Sequence, residues 1–338
     1  MAEQADNLRA RGLVDICAAC IEAEHRPVPR TPTAIIRAAF STNALSVALT
    51  STADKLVLDG YGDTPPSWEG FANKVSVKDF KTAKVIRPSW SGELQELADG
   101  GEIDHGHLEE SYVDVSAAVF AQMFAVSYQS MVNDDGQVFA QAASALGKNA
   151  MRKVSDEVYT VLLANADDFF HADNSNLLTG ADSALSIASI GDAVAAMISQ
   201  RDANGRDLDI HPTLLLVPPE LRTIALQIVQ SEEVARYVSA QLDNLPTGNA
   251  FKSLTLAVEP RLSNSDRFAG TSETAFYLFS RPADGALNLA FLDGVQNPTI
   301  EFFGLDAEAS RLGYSWRVHH SFGAGLGDAR AAIKSNGV

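Results

Sequence analysis

Between Asp134 and Ala166 apolar residues return at steps of three and four, so that Phe139, Ala143, Leu146, Ala150, Val154, Val158 and Val161 lay one stripe along a cylinder. The spacing predicts a single helix over 134–166, about 45 Å long at ~1.5 Å per residue. Asp134 and Asp135 stand at the end where a helix favours negative charge, and Lys148, Arg152, Lys153, Asp156 and Glu157 fall on faces away from the stripe. Gly147 interrupts the pattern. A glycine in mid-helix costs about 1 kcal/mol against alanine, and it is tolerated most readily where another backbone passes close; a crossing strand is the expected neighbour.

On the N-terminal side the periods are short. Leu8, Leu13, Ile16, Cys17, Cys20 and Ile21 share one side of a helix over 5–25, which RPVPRTP ends by removing donors and fixing φ. Two further helical stretches follow, one from Ala34 and one among the Ser and Thr clusters before GDTPPSW, so the first 65 or so residues read as an arm of short helices. From Phe71 the period becomes two. VSVKDFKTAKVIRPSWS goes out as a strand, and ELQELADGGEIDHGHLEESYVDVSAAVFAQMFAVSY returns around a polar turn in which Gly100 or Gly101 takes positive φ. A two-stranded ribbon of this kind is marginal in water by itself and needs a neighbour.

Beyond the long helix, FFHADNSNLLTG reads as a loop and ASIGDAVAAMISQ as a helix. Thr213–Val217 is a buried strand, PPELRTIALQIVQSEEVARYV a helix opened by prolines, and Leu254–Val258, AFYLFSR and LNLAFLDG are strands. Residues 188–295 thus form a second lobe. Two strands around GLDAEASRLG are expected to return beside the long helix, which makes that lobe an insertion and the class α+β.

Composition narrows the function classes. A net charge of −17, from 43 acidic against 26 basic residues, opposes any role that neutralises a phosphate backbone and suits a container that holds nucleic acid without gripping it. No apolar run reaches the ~18 residues of a membrane span, and the start of the chain has no apolar h-region, so a soluble cytoplasmic protein without a membrane partner is expected. Cys17 and Cys20 have redox or zinc spacing but lack a second pair, and read as small apolar residues on a helix face. His171 and Asp173, with Asn174 and Asn176, form a polar loop; His105 and His107 share a strand face; His319 and His320 face opposite ways. None of these sets has the third and fourth ligand that a metal site needs. FGAGLGDA lacks a following βαβ unit, and there is neither a phosphate loop nor a G-x-S-x-G elbow. No catalytic residue, cofactor or metal is assigned.

Several strings occur in a familiar order: TNALSVALTSTADKLVLDGY, VSVKDFKTAKV, ADGGEIDHGHLEESYVDV, FAVSYQSMVNDD, FFHADNSNLLTG, LLLVPPELRTIALQIV, LTLAVEPRLS and LAFLDGVQNPTIE. Together they resemble the major capsid proteins of tailed phages, of the Hong Kong 97 type fold, and most closely the branch of the Mu-like major head subunit, where the capsid segment often follows a prohead protease. The resemblance spans roughly 40–325. It implies an N-terminal arm (1–70), an extended loop (71–118), a peripheral domain with the spine helix (119–187 and 296–338) and an axial domain (188–295).

The function it implies is a self-assembling icosahedral shell around double-stranded DNA, built of hexamers and pentamers in the host bacterial cytoplasm and carried in the virion. Portal, scaffold or protease, and decoration proteins are the partners implied. Some relatives cross-link a loop lysine to a neighbour's asparagine, but Lys78, Lys81 and Lys84 lie near the base of this hairpin, so non-covalent clamping is expected. Trp90, Leu94, Leu97 and Tyr112 are then the candidate apolar anchors on a neighbouring subunit. Arg87, Glu93, Glu96, Glu109 and Glu110 are candidates for setting register by charge. Phe139, Leu146, Gly147 and Val154 are the residues expected to pack the spine helix. Two alternatives stand beside this reading: a cellular nanocompartment shell of the same fold, and a metal-dependent enzyme using the His171 loop.

Overall fold

The structure, a computed structural model, describes residues 13–39, 54–63, 66–91, 107–127, 136–202, 205–238, 241–303 and 313–338. In chain order the helices are α1 (Leu13–Ala23), α2 (Pro32–Ala39), α3 (residues 54–62), α4 (Gly136–Ala164), α5 (Ile187–Ile198) and α6 (Arg222–Gln230). The strands are β1 (Ala72–Val77), β2 (Ala83–Ser91), β3 (His107–Val115), β4 (Ala118–Ser127), β5 (Leu177–Leu178), β6 (Pro212–Val217) and β7 (Glu233–Val238). They continue with β8 (Gln241–Gly248), β9 (Thr255–Val258), β10 (Phe276–Ser280), β11 (Leu287–Leu292), β12 (Thr299–Phe303), β13 (Gly313–Leu326) and β14 (Ala332–Ser335). The class is α+β, as the periodicity implies. The chain divides into two compact units.

The first unit draws on the described residues of Met1–Pro65, Val119–Lys153 and Val295–Ser321. Here β12 runs antiparallel to β13, from Thr299 opposite His319 to Phe303 opposite Ser315, and β4 also pairs with β13. Alternation along β13 buries Trp316, Val318 and His320 on one face. Val318 joins Val57 of α3 and Ala143 and Leu146 of α4 in one core, with Leu56, Phe124 and Ile300 packed on it.

Two helices of this unit touch without a layer of side chains between them. A Cβ added at Gly147 would lie 2.0 Å from the Val57 carbonyl oxygen, and one added at Gly60 would lie 2.2 Å from that of Ser144. The backbone that passes Gly147 therefore belongs to helix α3; the strand expected there from the sequence is not what crosses.

The second unit comprises the described residues of Pro66–Ala118, Val154–Gly294 and Phe322–Val338. Its larger sheet has the order β5-β14-β10-β6-β9. All five residues of β10 and the Leu214–Val217 run of β6 are buried, the apolar pattern of strands covered on both faces. Helices α5 and α6 pack on this sheet through Ile190, Ala193, Met197, Ala225, Ile228 and Val229. A capping box between Ser186 and Ser189 starts α5. Elsewhere in the unit β1 runs parallel to β11, from Ala72 opposite Leu287 to Val77 opposite Leu292, and β11 is antiparallel to the last residues of β13.

Two further expectations are corrected and one element is added. The strand read as continuous from Phe71 into the hairpin is broken at 78–82, where the Asp79 carboxylate accepts the Lys81 amide at 3.2 Å and the side chains are exposed. Hence β1 takes β11 as its partner, and only β2 and β3 form the ribbon. The helix read through SEEVARYV stops at Gln230, because the Asn249 side-chain amide donates to the carbonyls of Ile228, Val229 and Ser231. Glu233–Val238 then pairs with β8 as a hairpin. Finally, the tail contributes β14, which the sequence reading left without structure.

Candidate assembly surfaces

The β2–β3 ribbon pairs Ala83 with Val115 at its base and Ser91 with His107 at the last described pair. Its base sits on a small core of Val77, Val115, Ala117 and Ala290, with Ala83 and Val85 against it. Tyr112 is 45% exposed, and the Lys84 ammonium stands 5.1 Å over its ring. Arg87 and Trp90 lie on β2 opposite Ser111 and Leu108, while Glu109 and Glu110 lie on β3 opposite Ser89 and Pro88; their side chains are outside the described residues, as is that of Phe139 on α4. Glu93, Leu94, Glu96 and Leu97 are wholly outside them, as are the turn at Gly100 and Gly101 and the helix start at Asp134 and Asp135. Of the helix residues, Leu146 joins the core of the first unit, and Val154 is fully buried in the second.

Where the chain enters β1, it is held by a buried polar network that the sequence reading missed. The Trp68 indole donates to Ser155 Oγ at 3.1 Å, and Ser67 Oγ meets the Tyr159 hydroxyl at 2.7 Å and the Glu259 carboxylate. Arg261 then donates Nε to Asp156 at 2.6 Å and Nη1 to Glu259 at 2.8 Å, and Arg267 reaches the other Asp156 oxygen at 2.8 Å. Burial holds the Tyr159 phenol well above its ordinary pKa, reinforced by the Glu259 charge, so it stays a neutral hydrogen-bonding group. Asp156, expected on an exterior face, is inside because Tyr159, Leu162 and Leu163 widen the buried side of α4 around it. That widening is the signal in the sequence that would have found it.

In the first unit His320 is buried, with the Tyr61 ring edge-on at a centroid distance of 5.9 Å. The Tyr61 hydroxyl in turn donates to the Gln296 carbonyl at 3.0 Å. Burial lowers the His320 pKa from 6.5 to about 4, against an opposing hydrogen bond to the Val295 backbone. The unfolded chain therefore binds a proton that the folded chain refuses between these two values. Stability is retained above pH 6.5 and lost as pH falls, by about 2 kcal/mol at pH 5. Urea denaturation across pH 7.5 to 5 is expected to show the wild type losing about that amount of stability relative to His320→Phe, which lacks the titrating group; a difference between the two that is independent of pH would refute the assignment.

The remaining candidate groups have local tasks. His171 Nδ1 accepts the Asp173 amide at 3.2 Å and caps a short 3-10 turn, while Asn176 fastens the same loop by donating to the Phe169 and Ala329 carbonyls. His319 is half-buried on the face of β13 opposite His320. His105 and the His107 side chain are outside the described residues. Among those residues, no three His, Cys, Asp or Glu side chains converge as metal ligands, and no helix is long and apolar enough to cross a membrane. Cys17 is buried and Cys20 half-buried in α1; burial pushes the Cys17 thiol up to about 12.

A family model described as phage capsid protein matches residues 110–335. The chain belongs to the phage capsid protein family. As a capsid protein its role is structural. Solved structures with a similar fold include a virus-like particle from Pyrococcus furiosus, at 11% identity and a TM-score of 0.49, covering 84% of this chain and 98% of that one. The mature capsid of bacteriophage PhiM1 matches at 12% identity and a TM-score of 0.48, covering 80% and 86%. The SrpI encapsulin of Synechococcus elongatus PCC 7942 does so at 11% and 0.48, covering 81% and 88%. No curated protein sequence matches.

Proposed function

We propose that this capsid protein is the major head subunit of a tailed phage of the Mu-like branch, assembling through hexamers and pentamers into an icosahedral shell around double-stranded DNA. The family match over residues 110–335 carries the reading, since it runs from the returning strand of the hairpin through β14. In this reading 1–70 is the arm, 71–118 the extended loop, 119–187 with 296–338 the peripheral domain and 188–295 the axial domain.

The protein works by burying interfaces, with no chemistry of its own. Standard interfaces bury ~1,600 Å², and several per subunit add up to a closed shell. The β2–β3 ribbon has no third strand among the described residues, which suits an element completed by an adjacent subunit. Tyr112, and Trp90, Leu94 and Leu97 nearer the tip, are its anchors, with Arg87, Glu93, Glu96, Glu109 and Glu110 fixing register. The charge of −17 keeps packaged DNA from adhering to the wall. Assembly takes place in the bacterial cytoplasm with scaffold or protease and portal, and decoration proteins bind the finished virion.

Electron microscopy of the purified protein is expected to show closed particles, and particles from the natural source are expected to contain DNA. Uniform monomers at every salt concentration, with or without scaffold, would overturn the proposal. Particles filled with a protein cargo would make it a nanocompartment instead.

A further inference from the structure

Strand β4 is apolar along the described part of its outer alternation and, apart from the exposed Gln122, along its inner one too. Phe124 stacks on the buried Trp316 at 4.9 Å, and Lys153 stands 4.6 Å over the Phe120 ring, so this alternation points inward toward α4. Val119, Ala121, Met123 and Ala125 occupy the opposite alternation and are exposed, Val119 to 56% and Met123 to 52%. An antiparallel strand with one wet face ordinarily alternates apolar and polar residues, whereas a strand apolar on both sides is one that is covered on both. Among the described residues β13 is the one strand paired with β4, which leaves a ten-residue edge as well as a face.

Charge identifies the cover. No charged residue occurs between Asp114 and Asp134, in a chain where 20% of residues are charged. On the same sheet face Arg317 of β13 pairs with Glu301 of β12, so the ion pair is closed within one copy. Two copies at −17 each repel wherever acidic surfaces meet. They approach with least opposition on a surface that is apolar and neutral, while a strongly charged partner would find nothing to pair with there.

We propose that the outer face of β4, centred on Val119 and Met123, is a contact surface for a second copy of this chain. The choice of occupant rests on the shell reading, so the test separates the two. The full chain is produced with p-benzoylphenylalanine in place of Met123, irradiated, and the adducts are mapped by mass spectrometry; particle formation by the unmodified chain reports separately on the shell. An adduct joining position 123 to a second copy is the expected result. Adducts confined to one chain, or made only to a different protein, would overturn the proposal even if shells form. Met123→Lys is expected to leave the circular dichroism spectrum and melting of the free subunit unchanged, because the site is exposed. Yield of self-associated species is expected to fall at least about tenfold, since an ammonium would have to be desolvated at each contact. Normal yield from that variant would overturn the proposal too.

Discussion

Gly147→Ala is expected to destabilise the protein by roughly 3 kcal/mol, although alanine in place of glycine within an unobstructed helix would stabilise by about 1 kcal/mol. The sign is set by what the new methyl would meet. At 2.0 Å from the Val57 carbonyl oxygen it strikes main chain, and the Tyr61 amide nitrogen of the same helix is 2.8 Å away. A side chain could rotate aside, but these atoms move only if α3 moves as a whole. Gly60→Ala meets the Ser144 carbonyl in the same way and should cost a similar amount. Because both substitutions force the same two helices apart, the double variant should lose less than the sum. Urea denaturation of the three variants measures all of this, and a higher midpoint for Gly147→Ala would show that the helices do not touch there. Gly147→Leu carries the same clash further and should yield few correctly formed particles.

Arg261→Ala is the second large loss, about 3–5 kcal/mol. The guanidinium is the group shared by Asp156 and Glu259, whose side chains are only 11% and 6% exposed, so its removal leaves carboxylates without their cation in a dry site. Arg267 still reaches Asp156, which places most of the burden on Glu259. Arg267 itself is 64% exposed, and Arg267→Ala should therefore cost less than about 1 kcal/mol. Glu259→Gln in the Arg261→Ala background should recover part of the deficit by removing the uncompensated charge. Equal losses from the two arginine variants, measured by thermal or urea unfolding, would mean that the network is an exterior feature.

Much of this architecture is legible in single segments. The 3.6-residue period finds α4, four adjacent apolar residues find β6, and Gly147 announces a close backbone before any partner is known. What the sequence hides is pairing at a distance. Nothing in ANKVSV says that it will lie parallel to LNLAFL, so the period of two runs on without a break into the hairpin that follows it. Nothing in SEEVARYV reveals that Asn249 will cap the preceding helix, and Val234, Tyr237 and Val238 suit a helix as well as a strand. Asp156 looks like one more exterior charge until Arg261 and Glu259 arrive from far along the chain. The uncharged run after Asp114 was in plain view, but its meaning depends on which alternation faces α4.

The pairing of β1 with β11, and of β5 with β14, also governs time. Each joins segments that are far apart in the sequence, and contacts of that kind form slowly because a long loop must close before any contact compensates its lost entropy. β4 and its partner β13 are likewise far apart in the sequence, and until they pair the newly made chain displays β4 with its inner face uncovered as well as its outer one. Rapid synthesis crowds such intermediates together at the strand best suited to bind a copy, and so favours aggregates over particles. Slower production, or a chaperone that shields β4 until the late pairings are complete, shifts that competition toward the shell.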